Sequence, residues 1–114
     1  MTTKYNFTLN QGETFDTTFT VLLADRRPFD LTGYSVRGQV REQYTSNTVL
    51  LQFDIEVVDP ASGNVRCMAS ATDTAALSFN KAVYDLEAEH DATGKVIRLV
   101  QGVITLSREV TRNG

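Results

Sequence analysis

Three carboxylates at spacing two, Asp85, Glu87 and Glu89, come nearer to chemistry in type and pattern than any other residues of this chain. On a strand they share one face at intervals of about 7 Å. A calcium site needs six or more oxygens converging from a folded loop, and the D-x-[DN]-x-[DN]-G pattern that builds one is missing. Glycoside hydrolysis needs two carboxyls roughly 5–9.5 Å apart flanking a cleft, and one strand face meets the distance without supplying the cleft. The expected role of these carboxylates is therefore a solvated or cross-strand ion-paired face, with Arg98 opposite Glu87 across a hairpin. His90, the sole histidine, stands beside Asp91 at the mouth of that hairpin's turn. A nucleophilic triad would need a Ser or Cys in a strained elbow, and no GxSxG occurs, so a surface histidine is expected. Cys67 is the only cysteine; it excludes an internal disulfide, no CxxC or Cys/His spacing suits zinc, and its strand context predicts a small buried hydrophobe. With no glycine-rich phosphate loop either, the residues predict no enzyme, no metal and no cofactor.

The 114 residues fit a single domain, residues 1–114, able to bury roughly 65% of the unfolded surface. Eleven Lys and Arg against fourteen Asp and Glu give a net charge of −3 and a pI near 5.0. No global positive field exists to attract nucleic acid or an anionic membrane, so proteins or neutral surfaces are the expected partners. The opening MTTKYNFTLN alternates polar and apolar residues and does not read as a secretory signal. No apolar run approaches the roughly 20 residues of a membrane-spanning helix, so synthesis in the cytoplasm is expected.

Period-2 alternation with turn signals between the runs predicts an all-β fold. Tyr5, Phe7 and Leu9 mark a first strand; Phe15, Thr17, Phe19, Val21 and Leu23 share a face of a second. Asp25-Arg26-Arg27-Pro28 is a turn. In the third strand Tyr34, Val36, Gly38 and Val40 face inward and Arg37, Gln39 and Arg41 outward; without interleaved aromatics, that arginine face pairs with neighbouring acidic strands sooner than with nucleic acid. A polar loop, Gln43 to Thr48, precedes a fourth strand on which Leu51, Phe53, Ile55 and Val57 alternate. Asp59 to Gly63 is a turn, and Val65, Cys67 and Ala69 point to the core from the returning strand. Near residues 72–78 the alternation lapses, which predicts one short helical crossover between sheets capped by Asp73 or Thr72.

A long hairpin closes the chain: Ala82 to Glu89 with Ala82, Tyr84, Leu86 and Ala88 inward, a turn from His90 to Lys95, and a strand from Val96 to about Thr111. Ile97 and Leu99 lie on one parity, and Val100, Gly102, Ile104, Leu106 and Val110 on the other. One face cannot hold them all without an extra residue. Gly102 is the natural bulge site. Alternatively a turn one residue longer sets Tyr84 across from Gly102, where the ring covers bare backbone.

The strings QGETFDTTFTVLLADRRPFDLTGYSVRGQVRE and YDLEAEHDATGKVIRLVQGVITLSREVTR resemble the small immunoglobulin-like β-sandwich proteins of tailed-bacteriophage virions, from about Gly12 to Arg112. The similarity lies in an opening QGET before an amphipathic strand, DLTGY leading to VRGQVR, YDLE at the start of the hairpin, and the terminal RLVQGVITLSREVTR. It implies an immunoglobulin-like antiparallel β-sandwich of about seven strands, without the Cys pair and core Trp of antibody domains. It also implies a structural role in the virion, as a tail, baseplate or head-associated part, with no catalytic residues to carry over.

Two functions follow as expectations. The first is a virion component binding other virion proteins, itself a homo-oligomer repeated by symmetry. The second is a binding module for a host-surface glycan or receptor, for which Tyr44 is the main exposed aromatic. An assembly interface is expected at the chain ends, on Tyr5, Phe7, Leu9, Val110 and Arg112, unless those ends simply complete their own sheets. The alternative interface is the face of Arg37, Gln39 and Arg41.

Overall fold

The computed structural model describes residues 3–111. Nine strands are formed there: β1 Thr3–Lys4, β2 Phe7–Asn10, β3 Phe15–Thr20, β4 Tyr34–Arg41, β5 Leu51–Gln52, β6 Asp54–Asp59, β7 Asn64–Ala69, β8 Lys81–His90 and β9 Val96–Ser107. β1 and β2 are one run interrupted at Tyr5 and Asn6, and β5 and β6 one run interrupted at Phe53, so the chain makes seven passes. One sheet has the order β1/β2-β9-β8-β4-β5 and the other β3-β7-β6. This is an all-β, immunoglobulin-like sandwich.

The inner faces are those the alternation marks. Ala82, Tyr84, Leu86 and Ala88 of β8 meet Val65, Cys67 and Ala69 of β7, with Leu9, Val40, Leu51, Phe53, Leu99, Val100, Ile104 and Leu106 completing the core. At Phe53 the chain leaves the first sheet, where Leu51 pairs with Val40, and enters the second, where Asp54 pairs with Met68. The Phe53 amide still bonds to the Gly38 carbonyl at 3.0 Å, and its ring turns into the core, packing edge-on to Tyr84 with ring centres 6.4 Å apart. A Cβ on Gly38 would meet the Leu86 side chain, so the glycine leaves room on β4 for Leu86 to pack into the core.

Two expectations about the first sheet are corrected. The sandwich is not wholly antiparallel: β1 and β2 run parallel to β9, with Thr3 opposite Val100 and Phe7 opposite Ile104. Parallel pairing needs a long connection, and nearly the whole chain lies between these partners. Gly102 is not the bulge. Leu86 pairs with Val100 and Glu87 with Arg98, which leaves Leu99 as the extra residue and sets Tyr84 across from Gly102. The bulge turns Leu99 and Val100 both into the core and so resolves the parity conflict.

Gly102 has a steric reason of its own. The chain bends over it at Tyr5 and Asn6, and a Cβ there would strike the Tyr5 carbonyl. That carbonyl accepts a 2.6 Å hydrogen bond from the Tyr84 hydroxyl. The Tyr5 amide donates to Gln101 O at 2.9 Å, and Asn6 Oδ1 accepts from the Val103 amide at 2.9 Å.

The crossover helix α1, Ala71–Ala75, starts one residue earlier than expected, and its cap is Ser70, whose hydroxyl accepts from the Asp73 amide at 3.1 Å. Asp73 and Thr72 lie inside the first turn instead. The buried Thr74 hydroxyl donates to Glu13 O at 2.8 Å and accepts from the Gly12 amide at 3.1 Å, tying the helix to the β2–β3 turn. β9 ends at Ser107, short of Thr111.

Leu86→Ala or Phe53→Ala should cost about 2–5 kcal/mol in urea titration, and Glu87→Ala under about 1 kcal/mol; a reversed ranking would contradict the face assignment. Burial pushes the Cys67 thiol from its ordinary 9.0 up to about 12, and burial likewise raises the Tyr84 phenol above its ordinary 10.0. The folded state holds both protons more tightly than the unfolded chain. Their stabilisation is complete below the unfolded values and is lost as pH rises through the folded ones. The urea midpoint should therefore fall as pH climbs above about 9, and an aromatic disulfide reagent at neutral pH should reach Cys67 only through the unfolding transition. Rapid labelling of the native protein would refute the assignment.

Candidate interaction surface

Three regions among the described residues hold the side chains that the sequence marks for recognition. The first is the edge formed by the N-terminal strand. Leu9 is buried, and Phe7 is half-buried, stacked on Phe15 at 5.2 Å and edge-on to Tyr84 at 5.0 Å. Both side chains serve the sandwich itself, which removes Leu9 and most of Phe7 from the interface expected at the chain ends. Tyr5 stays 47% exposed, its ring packed on Phe7 at 5.8 Å and Phe19 at 5.7 Å. Beside it lies an apolar notch of about 120 Å³ bordered by Phe19, Val21, Leu99 and Val100. One side of the β1/β2 backbone is paired to β9, and the other is the open edge of the sheet. Val110 is 92% exposed beyond the end of β9. Arg112 lies outside the described residues.

The second region is the outer face of β4, β8 and β9. Arg37 Nε lies 3.3 Å from Glu87 Oε1 and its Nη1 3.1 Å from Glu89 Oε1; these hydrogen bonds, that to Glu89 foremost, hold its guanidinium pKa above the ordinary value. Arg41 donates to Ser46 O at 2.7 Å and to Gln39 Oε1 at 3.0 Å. Arg98 stands opposite Glu87 in register, as the alternation predicts, and forms an ion pair with Asp85, at 3.5 Å. The expected arginine face is thus a lattice of both signs, each guanidinium already engaged within the chain.

The third region is a cleft in that face. The loop after β4 folds back beside β8 and leaves a recess of about 300 Å³ lined by Gln39, Arg41, Tyr44, Val83, Tyr84, Asp85, Glu87 and Arg98. The carboxylate strand alone supplies no cleft; the structure places one beside it. The wall is built by a loop some forty residues away in sequence, brought alongside because β4 pairs with β8, Gln39 opposite Asp85 and Arg41 opposite Val83. The signal that was present is Tyr44, an aromatic in an otherwise polar loop; it is 66% exposed and sits at this wall. Burial, and after it the charge of Glu87, raises the Asp85 carboxyl above its ordinary value despite Arg98, Arg41 and Arg37.

His90 is half-buried at the end of the hairpin, edge-on to Tyr34 with ring centres 5.0 Å apart and with Nδ1 3.2 Å from Thr93 Oγ1. Cys67 faces the core and takes no part in any of the three regions. Among the described residues no three His, Cys, Asp or Glu side chains gather as a metal ion would require.

No protein-family model matches the chain, and no curated protein matches it. Among solved structures the chain is similar to the N-terminal domain of phage TP901-1 ORF48, with a TM-score of 0.59 over 93% of this chain and 94% of that one, at 11% sequence identity. At that identity the likeness is one of fold, and it takes in nearly all of both chains: the immunoglobulin-like sandwich described above is also the fold of a phage protein domain.

Proposed function

We propose that this protein is a non-enzymatic structural component of a tailed-phage virion, in the tail, baseplate or head-associated, that acts through protein–protein contacts and is repeated by symmetry. The observation that carries the reading is the end-to-end fold correspondence with a phage protein domain. The sequence strings quoted above support it independently. The partners are other virion proteins and further copies of the chain itself.

The non-enzymatic part rests on the disposition of charge in the cleft. Asp85 and Glu87 both come from β8, and the opposite wall supplies Tyr44, Gln39 and Arg41. Cleaving a glycosidic bond needs carboxyls on both sides of it. Each carboxylate also sits in an ion pair with an arginine.

Docking is assigned to the β1/β2 edge ahead of the arginine face. An edge strand offers a row of main-chain donors and acceptors for strand addition, and here it carries a half-exposed Tyr5 beside an apolar notch. Aromatic anchors next to apolar pockets supply much of the affinity in interfaces. On the arginine face a partner would first have to break the Arg37–Glu87–Glu89 pairs.

Mass spectrometry of purified particles tests the role: the chain should be present at a fixed copy number per virion, and its absence would refute the proposal. For the edge, removing residues 1–10 would take Leu9 out of the core and unfold the domain, so the informative change is Tyr5→Ala, which spares the Tyr5 main-chain bonds. It should abolish assembly by light scattering while thermal unfolding stays cooperative. Unchanged assembly would shift the interface away from the N-terminal edge.

A further inference from the structure

The cleft beneath Tyr44 is built with more care than a solvated strand face requires. Its floor is the three-strand row of β4, β8 and β9, in which Gln39 faces Asp85, and Glu87 lies between Arg37 on one side and Arg98 on the other. Val83 adds an apolar patch to the same recess. Its wall is held in place: the Arg41 guanidinium bridges the Ser46 carbonyl and the Gln39 side chain, and the Ser46 amide donates back to Gln43 O at 3.0 Å. Arg41 therefore anchors the loop that carries Tyr44, while the phenol ring itself stays largely in solvent. An aromatic side chain exposed on an anchored loop above convergent polar groups is the arrangement of a ligand site.

The lining decides the class of ligand. Arg41 and Arg98 balance Asp85 and Glu87, so the recess has no net charge with which to select an ion, and an anion or a cation would meet a like charge as readily as an opposite one. What it does present is a closely spaced mixture of acceptors and donors. A carboxylate offers about four acceptor positions. The Arg98 guanidinium that pairs with Asp85 lies at 3.5 Å, beyond the roughly 2.7–2.9 Å of a full charge-assisted hydrogen bond. Hydroxyl groups fit such a surface, since each both donates and accepts. A pyranose ring adds an apolar C–H face that matches the Tyr44 ring and Val83. A volume of about 300 Å³ stands at the lower end of ligand sites, roughly 300–1,000 Å³, the size of a short saccharide and not of a peptide.

We propose that this cleft is a binding subsite for one neutral sugar residue, with Tyr44 as its stacking platform, Asp85 and Glu87 as acceptors of its hydroxyl protons, and Gln39 as donor. The site lies on the outer sheet face, apart from the N-terminal edge, and it holds whether or not the chain is a virion part.

The test is a glycan array carrying neutral, acidic and cationic saccharides, probed with the intact protein and followed by a two-dimensional amide NMR titration with the strongest neutral binder. The proposal requires a neutral glycan among the binders, with shifts centred on Tyr44, Val83 and Asp85. Tyr44→Ala should weaken that binding at least tenfold, and Asp85→Asn should weaken it, while Tyr5→Ala leaves it unchanged. Absence of any neutral binder, preference for charged glycans, shifts centred elsewhere, or full affinity in Tyr44→Ala would each overturn it. Loss of binding in Tyr5→Ala would place the sugar at the N-terminal edge and overturn it as well.

Discussion

The Tyr84 hydroxyl reaches past Gly102 to the carbonyl of Tyr5, and the rest of the sandwich is arranged around that crossing. A buried phenol left without a partner costs about 1–3 kcal/mol, and a side chain on Gly102 would leave no room for the carbonyl that serves it. The bond fixes the N-terminal segment against β9 and sets the ring of Tyr5 on Phe7 and Phe19. Phe7 then stacks on Phe15 and meets Tyr84 edge-on, while Phe15 packs on Phe53 at the point where the chain changes sheet. Aromatic pairs of this geometry add about 0.5–1.5 kcal/mol each beyond their buried area, so the crossing organises the packing between the two sheets as well as the edge of one.

What remains for partners follows from this closure. The inner faces are consumed by the core, and the outer faces carry cross-strand ion pairs such as Arg66 with Asp16 at 2.6 Å and Arg37 with Glu87. Exposed pairs of this kind contribute little to stability; they keep the face polar and set which charges are left over. The two contacts proposed above lie where a loop or an edge interrupts the lattice, at the N-terminal edge beside Tyr5 and in the recess under Tyr44, on different parts of the first sheet.

Much of this architecture is legible along the chain because strand alternation is a local signal. β4 at Tyr34–Arg41 and β7 at Asn64–Ala69 have the expected inward residues, and the buried set Ala82, Tyr84, Leu86 and Ala88 follows from period two alone. The failures lie where distant segments meet. The pairing of Tyr84 with Gly102, one of the two arrangements the parity conflict allows, is the one formed, but nothing local to Gly102 reveals that Tyr5 crosses it or that the bulge belongs to Leu99. The parallel pairing of β2 with β9 joins opposite ends of the chain and leaves no turn signature. Ser70 caps α1 because its extended backbone precedes the first turn, whereas Asp73 and Thr72, equally good capping types, fall within it. The cleft was invisible for the same reason as the crossing: its carboxylates and its tyrosine are brought together only by the β4–β8 pairing.

Amide hydrogen exchange on the unaltered protein and on Gly102→Ala probes the crossing most directly. In the unaltered protein the Tyr5 and Val103 amides, bonded to Gln101 O and Asn6 Oδ1, should open only in large-scale unfolding and exchange as slowly as the amides of β8. In Gly102→Ala both should lose most of that protection while β4 and β7 keep theirs. Fast exchange at Tyr5 and Val103 in the unaltered protein, or unchanged protection in Gly102→Ala, would contradict the view that this crossing fixes the N-terminal segment against β9.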